Sequence, residues 1–193
     1  MCRGVCTQVA RIESGSRDVY YGAMESSSIT IRPAALDDAP FVVDCNLRLA
    51  RESEDITLDP DRVRQGVAAV FADGAKGFYV IAEVNGQRAG QLMITYEWSD
   101  WRNGVFWWFQ SVYTMPEFRG RGVFRALYSH VESIASRAGN VCGLRLYVAP
   151  ANQRAQATYL NRGMHDSGYL LFEHDFVIKR TGLSGEPQSR GPA

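Results

Sequence analysis

The segment Arg119-Gly120-Arg121-Gly122-Val123-Phe124 has the residue types and spacing of a phosphate cradle. It follows a strand-like run and opens a helix-like one. Such a junction leaves the first helical N–H groups without backbone partners and concentrates partial positive charge there. A pyrophosphate accepts bonds of that kind. Gly120 and Gly122 let the backbone come close to a ligand and take up positive φ. Arg119 and Arg121, with Arg125 as a further candidate, would add charge-assisted bonds to phosphate oxygens. Taken alone, the same residues also read as a Gly-rich turn with solvated arginines. The GxGxxG spacing of a dinucleotide site is missing, and no Gly-Lys-Ser/Thr follows as in a P-loop NTPase.

A second constellation is Asn152-x-x-Ala155-x-x-x-Tyr159-x-x-x-Gly163-Met164. Asn152, Ala155 and Tyr159 fall on one face of a helix. A phenol there can donate a proton, and it can equally pack the helix on a sheet. Asn152 fits a helix N-cap. Aromatic rings beside carboxylates in Glu97-Trp98-Ser99-Asp100-Trp101, with Trp107 or Trp108, suit a cationic amine. Adjacent strand residues point oppositely, so at least one of Trp107 and Trp108 belongs to the core. The histidines, His130, His165 and His174, show no metal spacing, and the cysteines form no CxxC pair or Cys/His cluster. No Ser/His/Asp set or Cys nucleophile is evident, which favours direct transfer over a covalent intermediate.

The elements that must hold these residues follow from periodicity. Ile29–Arg32 alternates as a half-buried strand. Leu36–Pro40 opens a helix, with Asp37 or Asp38 as its cap and Pro40 in its first turn. Leu58–Phe71 is a second helix. Gly77–Val84 and Ala89–Tyr96 are strands joined by Asn85-Gly86, a two-residue hairpin signal. Glu97–Gly104 reads as a polar turn. Val105–Thr114 is a long strand, Val123–Ala138 a helix, Val141–Val148 a strand and Asn152–Arg162 a helix. Tyr169–Ile178 closes with a strand, and a short one is open near Met164. Hairpins first, then strands alternating with helices, imply a mixed sheet with helices on its faces.

With both motifs in this order, the chain resembles the GNAT superfamily of N-acetyltransferases over roughly Ile29 to Ile178. Arg119, Gly122 and Phe124 occupy the defined positions of the family's Arg/Gln-x-x-Gly-x-Gly/Ala cradle. Phe124 stands where the family usually has a small residue, and Met164 where it usually has Phe. The resemblance implies an α/β fold, GNAT-like, with a central twisted, mixed and mostly antiparallel sheet of about six to seven strands flanked by four helices. It implies acetyl-CoA as co-substrate, held at its pyrophosphate by N–H groups from about Gly120 to Phe124, Val123 included. It places Tyr159 near the thioester sulfur as general acid and Asn152 on the pantetheine or a strand end. It further implies a bulged strand whose Val112, Tyr113 and Thr114 backbone pairs with pantetheine and stabilises the oxyanion; a bulge leaves such groups open to a ligand.

The base is less defined. Many relatives carry a Glu on this strand, where this chain has Trp108 and Gln110. Gln110 could orient the amine or a water. Glu97 or Asp100 could act through a water chain, and Glu52 and Glu54 are further acids on the acceptor side. Each of these acids also reads as solvated surface. Acceptor recognition is expected from Trp98, Asp100, Trp108 and Glu54.

The chain has 193 residues, with 21 Lys+Arg balancing 21 Asp+Glu. Size fits one domain plus ends, and zero net charge argues against a chain built mainly to hold nucleic acid. No apolar run approaches the ~20 residues of a membrane span. Buried reduced thiols fit a cytoplasmic protein. Residues 1–27 are expected to be disordered, with Met24 before Glu25-Ser26-Ser27-Ser28 reading like an alternative natural start. The domain is then 28–179, and 180–193 a flexible tail. The expected activity is acetyl transfer, with no metal, to a primary amine of a small molecule, amino acid or peptide. A catalytically weak acyl-CoA sensor is the competing reading, and a phosphate-binding protein unrelated to CoA a third. Open sheets of this kind often pair, so a homodimer is one arrangement to expect.

Overall fold

The computed structural model describes residues 28–178. The expectations for residues 1–27 and for the tail lie outside these residues. Strand β1 (Ile29–Pro33) is followed by helices α1 (Ala39–Glu54) and α2 (Pro60–Ala72). Strands β2 (Phe78–Val84), β3 (Gln87–Ser99) and β4 (Gly104–Thr114) come next, then α3 (Val123–Arg137), β5 (Val141–Leu146) and α4 (Gln153–Leu160). The five strands lie in sequence order; β1 to β4 are antiparallel and β5 joins β4 in parallel.

The β2–β3 hairpin turns at Asn85 (φ 50°) and Gly86 (φ 78°), both left-handed as a tight two-residue turn requires. One sheet face packs on α3, which buries Val123, Leu127, Tyr128, Val131 and Ala135 at helical spacing. Val80, Leu92, Ile94 and Phe109 meet that stripe from the sheet. The other face carries Tyr79, Ile81 and Met93 against Val42, Val43, Val67 and Phe71 of α1 and α2. Trp107 joins the α3 face and Trp108 lies on the opposite one, as alternation demands.

Three expectations change. First, the described residues form five strands, not six or seven. Tyr169–Ile178 makes no strand pairing, and Tyr169, Phe172 and Phe176 are more than four-fifths exposed. Its β-propensity describes side chains that fit a pleated surface, not a pairing partner; local bonds bracket the segment, with Asp166 accepting from the Gly168 N–H and Asp175 from the N–H groups of Val177 and Ile178. No strand forms near Met164 either; its N–H closes the end of α4 on the Tyr159 carbonyl. Second, β3 runs on to Ser99, so Glu97 and Trp98 are strand residues paired with Phe106 and Val105. Third, Asp38 is the N-cap residue of α1 as expected, but its side chain bonds no N–H of that helix. Asp59 does so for α2, accepting from Asp61 and Arg62.

The Asp38 carboxylate is buried and takes bonds from Arg32 (2.6 and 3.0 Å), Arg88 (2.7 Å) and the Ala35 N–H (2.8 Å). It thereby ties β1, β3 and the entry to α1 together. Among the described residues, no helix is long and apolar enough to cross a membrane, and no group of three potential metal ligands occurs.

The Arg32 bond to Asp38 outweighs burial and holds the carboxyl at about 2, below its ordinary 3.8. A depressed folded pKa stabilises the fold above the ordinary value, and that contribution is lost as pH falls toward 2. Asp38→Ala is expected to cost about 3 kcal/mol by leaving Arg88 without its carboxylate and Arg32 with Glu83 alone. Urea midpoints of wild type and variant should differ most above pH 5 and converge as the pH approaches 2.

Candidate active site

The cradle is built by backbone. After β4, a single 3-10 turn (Pro116–Phe118) buries Phe118 in the core and delivers the chain to α3. Gly120 (φ 77°) and Gly122 (φ 85°) are both left-handed, and Gly122 is the N-cap of α3 without a side-chain cap bond. The first helical bond runs from the Ala126 N–H to the Gly122 carbonyl at 3.0 Å. The N–H groups of Val123, Phe124 and Arg125 therefore have no intrahelical acceptor.

A cleft of about 470 Å³ opens there, lined by Gly120, Arg121, Gly122 and Arg125 and, from α4 and its end, Thr158, Asn161 and Arg162. No carboxylate lines it, and among the described residues none of these three arginines is ion-paired. Arg162 was not anticipated from sequence; its position one turn past Tyr159 was the only signal. Arg119 is arranged differently. Its Nε donates to the Thr114 carbonyl (3.0 Å), and its Nη2 donates to Glu52 (2.6 Å), which also accepts from the Tyr113 hydroxyl (2.6 Å). These bonds hold the Glu52 carboxyl below its ordinary value, Tyr113 first and Arg119 second. Burial and Glu52 push the Tyr113 phenol up to about 12. The Arg119 side chain thus links α1 to the end of β4.

Strand β4 breaks in front of the cradle. Its pairing with β5 ends at Phe109 opposite Leu146, although β4 continues to Thr114. Its register with β3 shifts between Gln91 and Met93, opposite Ser111, which has φ 47°. The extra residue reverses side-chain parity. Before it, Trp107 and Phe109 face α3; after it, Val112 does. Val112, Tyr113 and Thr114 follow the break.

Tyr159 projects from α4 toward α3, its ring edge-on to Phe124 with centroids 5.6 Å apart. Its hydroxyl makes no hydrogen bond within the described residues, and burial raises its pKa. Phe124 fills the place of a small residue with a ring that Tyr159 and Tyr128 pack on. Asn152 is the N-cap of α4, accepting from the Ala155 N–H at 3.1 Å.

A second cleft, of about 420 Å³, lies on the opposite sheet face, lined by Thr95, Tyr96, Glu97, Trp108, Gln110, Tyr147 and Leu171. Glu97 accepts from the Trp108 indole N–H (2.5 Å) and from Arg145 (2.7 and 2.8 Å). Burial pushes its carboxyl up, but Arg145 and Trp108 outweigh it and hold the pKa below the ordinary value. Trp108 and Tyr147 pack with ring centroids 4.4 Å apart. The Arg145 guanidinium carbon lies 3.6 Å from the centre of the Phe106 ring. Sequence reasoning missed Arg145 and Tyr147; the signal was an arginine in the apolar run Val141–Val148. Trp98 alternates to the other face of β3 and is 60% exposed, and Asp100 sits in the exposed turn beyond, so neither lines this cleft. Glu54 is the last residue of α1. Of the two cysteines described, Cys45 is buried with its thiol pushed up to about 12, and both are free.

Residues 45–164 match the model of the acetyltransferase (GNAT) family. A protein from Clostridium difficile 630 described as a "possible acetyltransferase" is 40% identical, with a TM-score of 0.72; the match covers 78% of this chain and 99% of that one. A "predicted acetyltransferase" from Clostridium acetobutylicum, solved with acetyl-CoA, is 19% identical with a TM-score of 0.63 over 76% of this chain and 96% of that one. An aminoglycoside N-acetyltransferase solved with CoA is 16% identical with a TM-score of 0.59, covering 78% and 97%. At such identities the last two show a shared fold. The family match and the 40% relative carry more: this chain belongs to the GNAT acetyltransferase family.

Proposed function

We propose that this acetyltransferase moves the acetyl group of acetyl-CoA to a primary amine of a small molecule, amino acid or peptide by direct attack on the thioester. One observation supports this reading above the others. An uncapped helix N-terminus, beside arginines that have no ion-pair partner among the described residues, lies next to the place where β4 leaves β5. The donors of the first suit a diphosphate, and the gap suits the pantetheine arm.

In this reading the N–H groups from Gly120 to Phe124 hold the diphosphate, with Arg121 and Arg125 adding charge. The Arg119 side chain holds Glu52 and so fixes the loop. Val112, Tyr113 and Thr114 offer backbone partners to the pantetheine, and Asn152 keeps the start of α4 in place beside it. The amine nitrogen attacks the carbonyl carbon, the C–S bond breaks, and Tyr159 gives its proton to the departing sulfur. A phenol whose pKa burial has raised keeps that proton at neutral pH. The amine's proton leaves through water.

The acceptor occupies the Glu97 cleft. Gln110 orients the amine, and Trp108 and Tyr147 supply ring faces for a cationic or amphipathic group. Glu97, kept ionised by Arg145 and Trp108, attracts the ammonium form more readily than it takes a proton. Trp98 and Asp100 would contact only the outlying parts of a longer acceptor. The ion-paired state of Glu97 also favours the sensor reading, in which acyl-CoA binds without turnover.

Thiol release from acetyl-CoA with a panel of amines separates the two readings. Turnover with at least one amine is expected, and micromolar binding with none would establish the sensor. Tyr159→Phe should lower kcat by about 10²-fold with the KM for acetyl-CoA little changed. Arg121→Gln and Arg125→Gln should each raise the Kd for acetyl-CoA about tenfold, as the loss of one charged hydrogen bond does, with kcat nearly constant. Glu97→Gln should raise the KM for the amine several-fold more than that for acetyl-CoA, read from initial rates with each substrate varied in turn.

A further inference from the structure

Gln91, in the middle of β3, is fully buried on the face that meets α1. Its Nε2 donates to Asn46 Oδ1 of α1 at 2.7 Å and to the Ser111 carbonyl of β4 at 3.3 Å. Its Oε1 has no partner among the described residues. A half-satisfied buried amide costs stability that a methionine of similar volume would not. The amide therefore contributes little as packing, and its one bond to another strand goes to the residue where β4 breaks.

That bond has a geometric consequence. Ser111 is a non-glycine residue in the left-handed region, at φ 47°. The Ser111–Val112 peptide is trans, so its C=O and its N–H point in opposite directions. Turning the Ser111 carbonyl toward Gln91 turns the Val112 N–H away from it. Val112 lies beyond Phe109, the last β4 residue paired with β5. Asn46 fixes the end of the Gln91 amide from α1, so the orientation of this one peptide is set by two neighbouring elements.

We propose that Gln91 is a positioning residue for the transfer reaction: by holding the Ser111 carbonyl, it aims the Val112 N–H at the thioester carbonyl, where negative charge develops. This rests on the proposed use of acetyl-CoA and deepens it. Gln91 touches neither substrate and acts through the main chain of β4. Donors aimed in advance at developing charge need no reorganisation during reaction, and a misplacement of about 1 Å can cost roughly 10²-fold in rate.

The test compares wild type with Gln91→Met and with Gln91→Asn, whose shorter arm keeps a polar side chain but does not reach Ser111. Kinetics, thermal melting and the infrared stretch of acetyl-CoA labelled with 13C at its carbonyl are measured on each. The expected result for Gln91→Met is a kcat lower by about tenfold to a hundredfold, an unchanged KM for acetyl-CoA and a melting temperature no lower than wild type. The labelled carbonyl should lose the low-frequency shift it shows on the wild type. A purely structural role would move stability and activity in the same direction. Wild-type kcat and carbonyl frequency in either folded variant would overturn the assignment. If both variants fail to fold, the wild type soaked with acetyl-CoA decides: a thioester oxygen resting on the Val112 N–H supports it, and one resting on another donor overturns it. Wild type that neither binds nor turns over acetyl-CoA would instead bring down the proposed function itself.

Discussion

The break in β4 at Ser111 is the constraint on which the rest of the site depends. A strand paired on both sides has no main-chain group to offer a ligand. Here β4 pairs with β3 on either side of Ser111 and Val112, which have no register partner there, and with β5 only as far as Phe109. The break reverses side-chain parity, which sends Tyr113 to Glu52 on the α1 side and Val112 to the α3 side. The same few residues therefore end one pairing, orient a peptide and anchor the loop that leads to α3.

Charge is distributed to match. Arg32, Arg88, Arg119 and Arg145 each have a carboxylate within hydrogen-bond reach. Arg121, Arg125 and Arg162 line the α3 cleft with no carboxylate paired to them among the described residues. The formal net charge of zero conceals this. The positive field is local and reinforced by the uncapped helix start, so that charge and backbone donors face the same cleft.

Much of this was legible in the sequence because it is local. Asn85-Gly86 specifies its hairpin through the φ values it tolerates, and the α3 stripe specifies its buried face through period alone. Gly120 and Gly122 announce a turn that few other residues could make. What could not be read depends on partners distant in the chain. The Asp38 side chain looks like a helix cap until Arg32 and Arg88 claim it. Glu97 looks like turn surface until Arg145, 48 residues away, closes on it. Tyr169–Ile178 has the composition of a strand, but composition does not bring it to the open edge of β5. Gln91 gave no signal, since a lone glutamine in an apolar strand does not reveal which carbonyl it will reach.

The alternation of β4 has a consequence for diversification within the family. Trp107 and Phe109 serve the α3 core, while Trp108 and Gln110 line the Glu97 cleft. Side chains on the second set can be exchanged without disturbing the first, and without touching the main chain of the cradle. If Trp108 and Gln110 meet the acceptor as proposed, a lineage could drift from one acceptor to another by rewriting alternate letters of a single strand, its grip on the donor inherited unaltered.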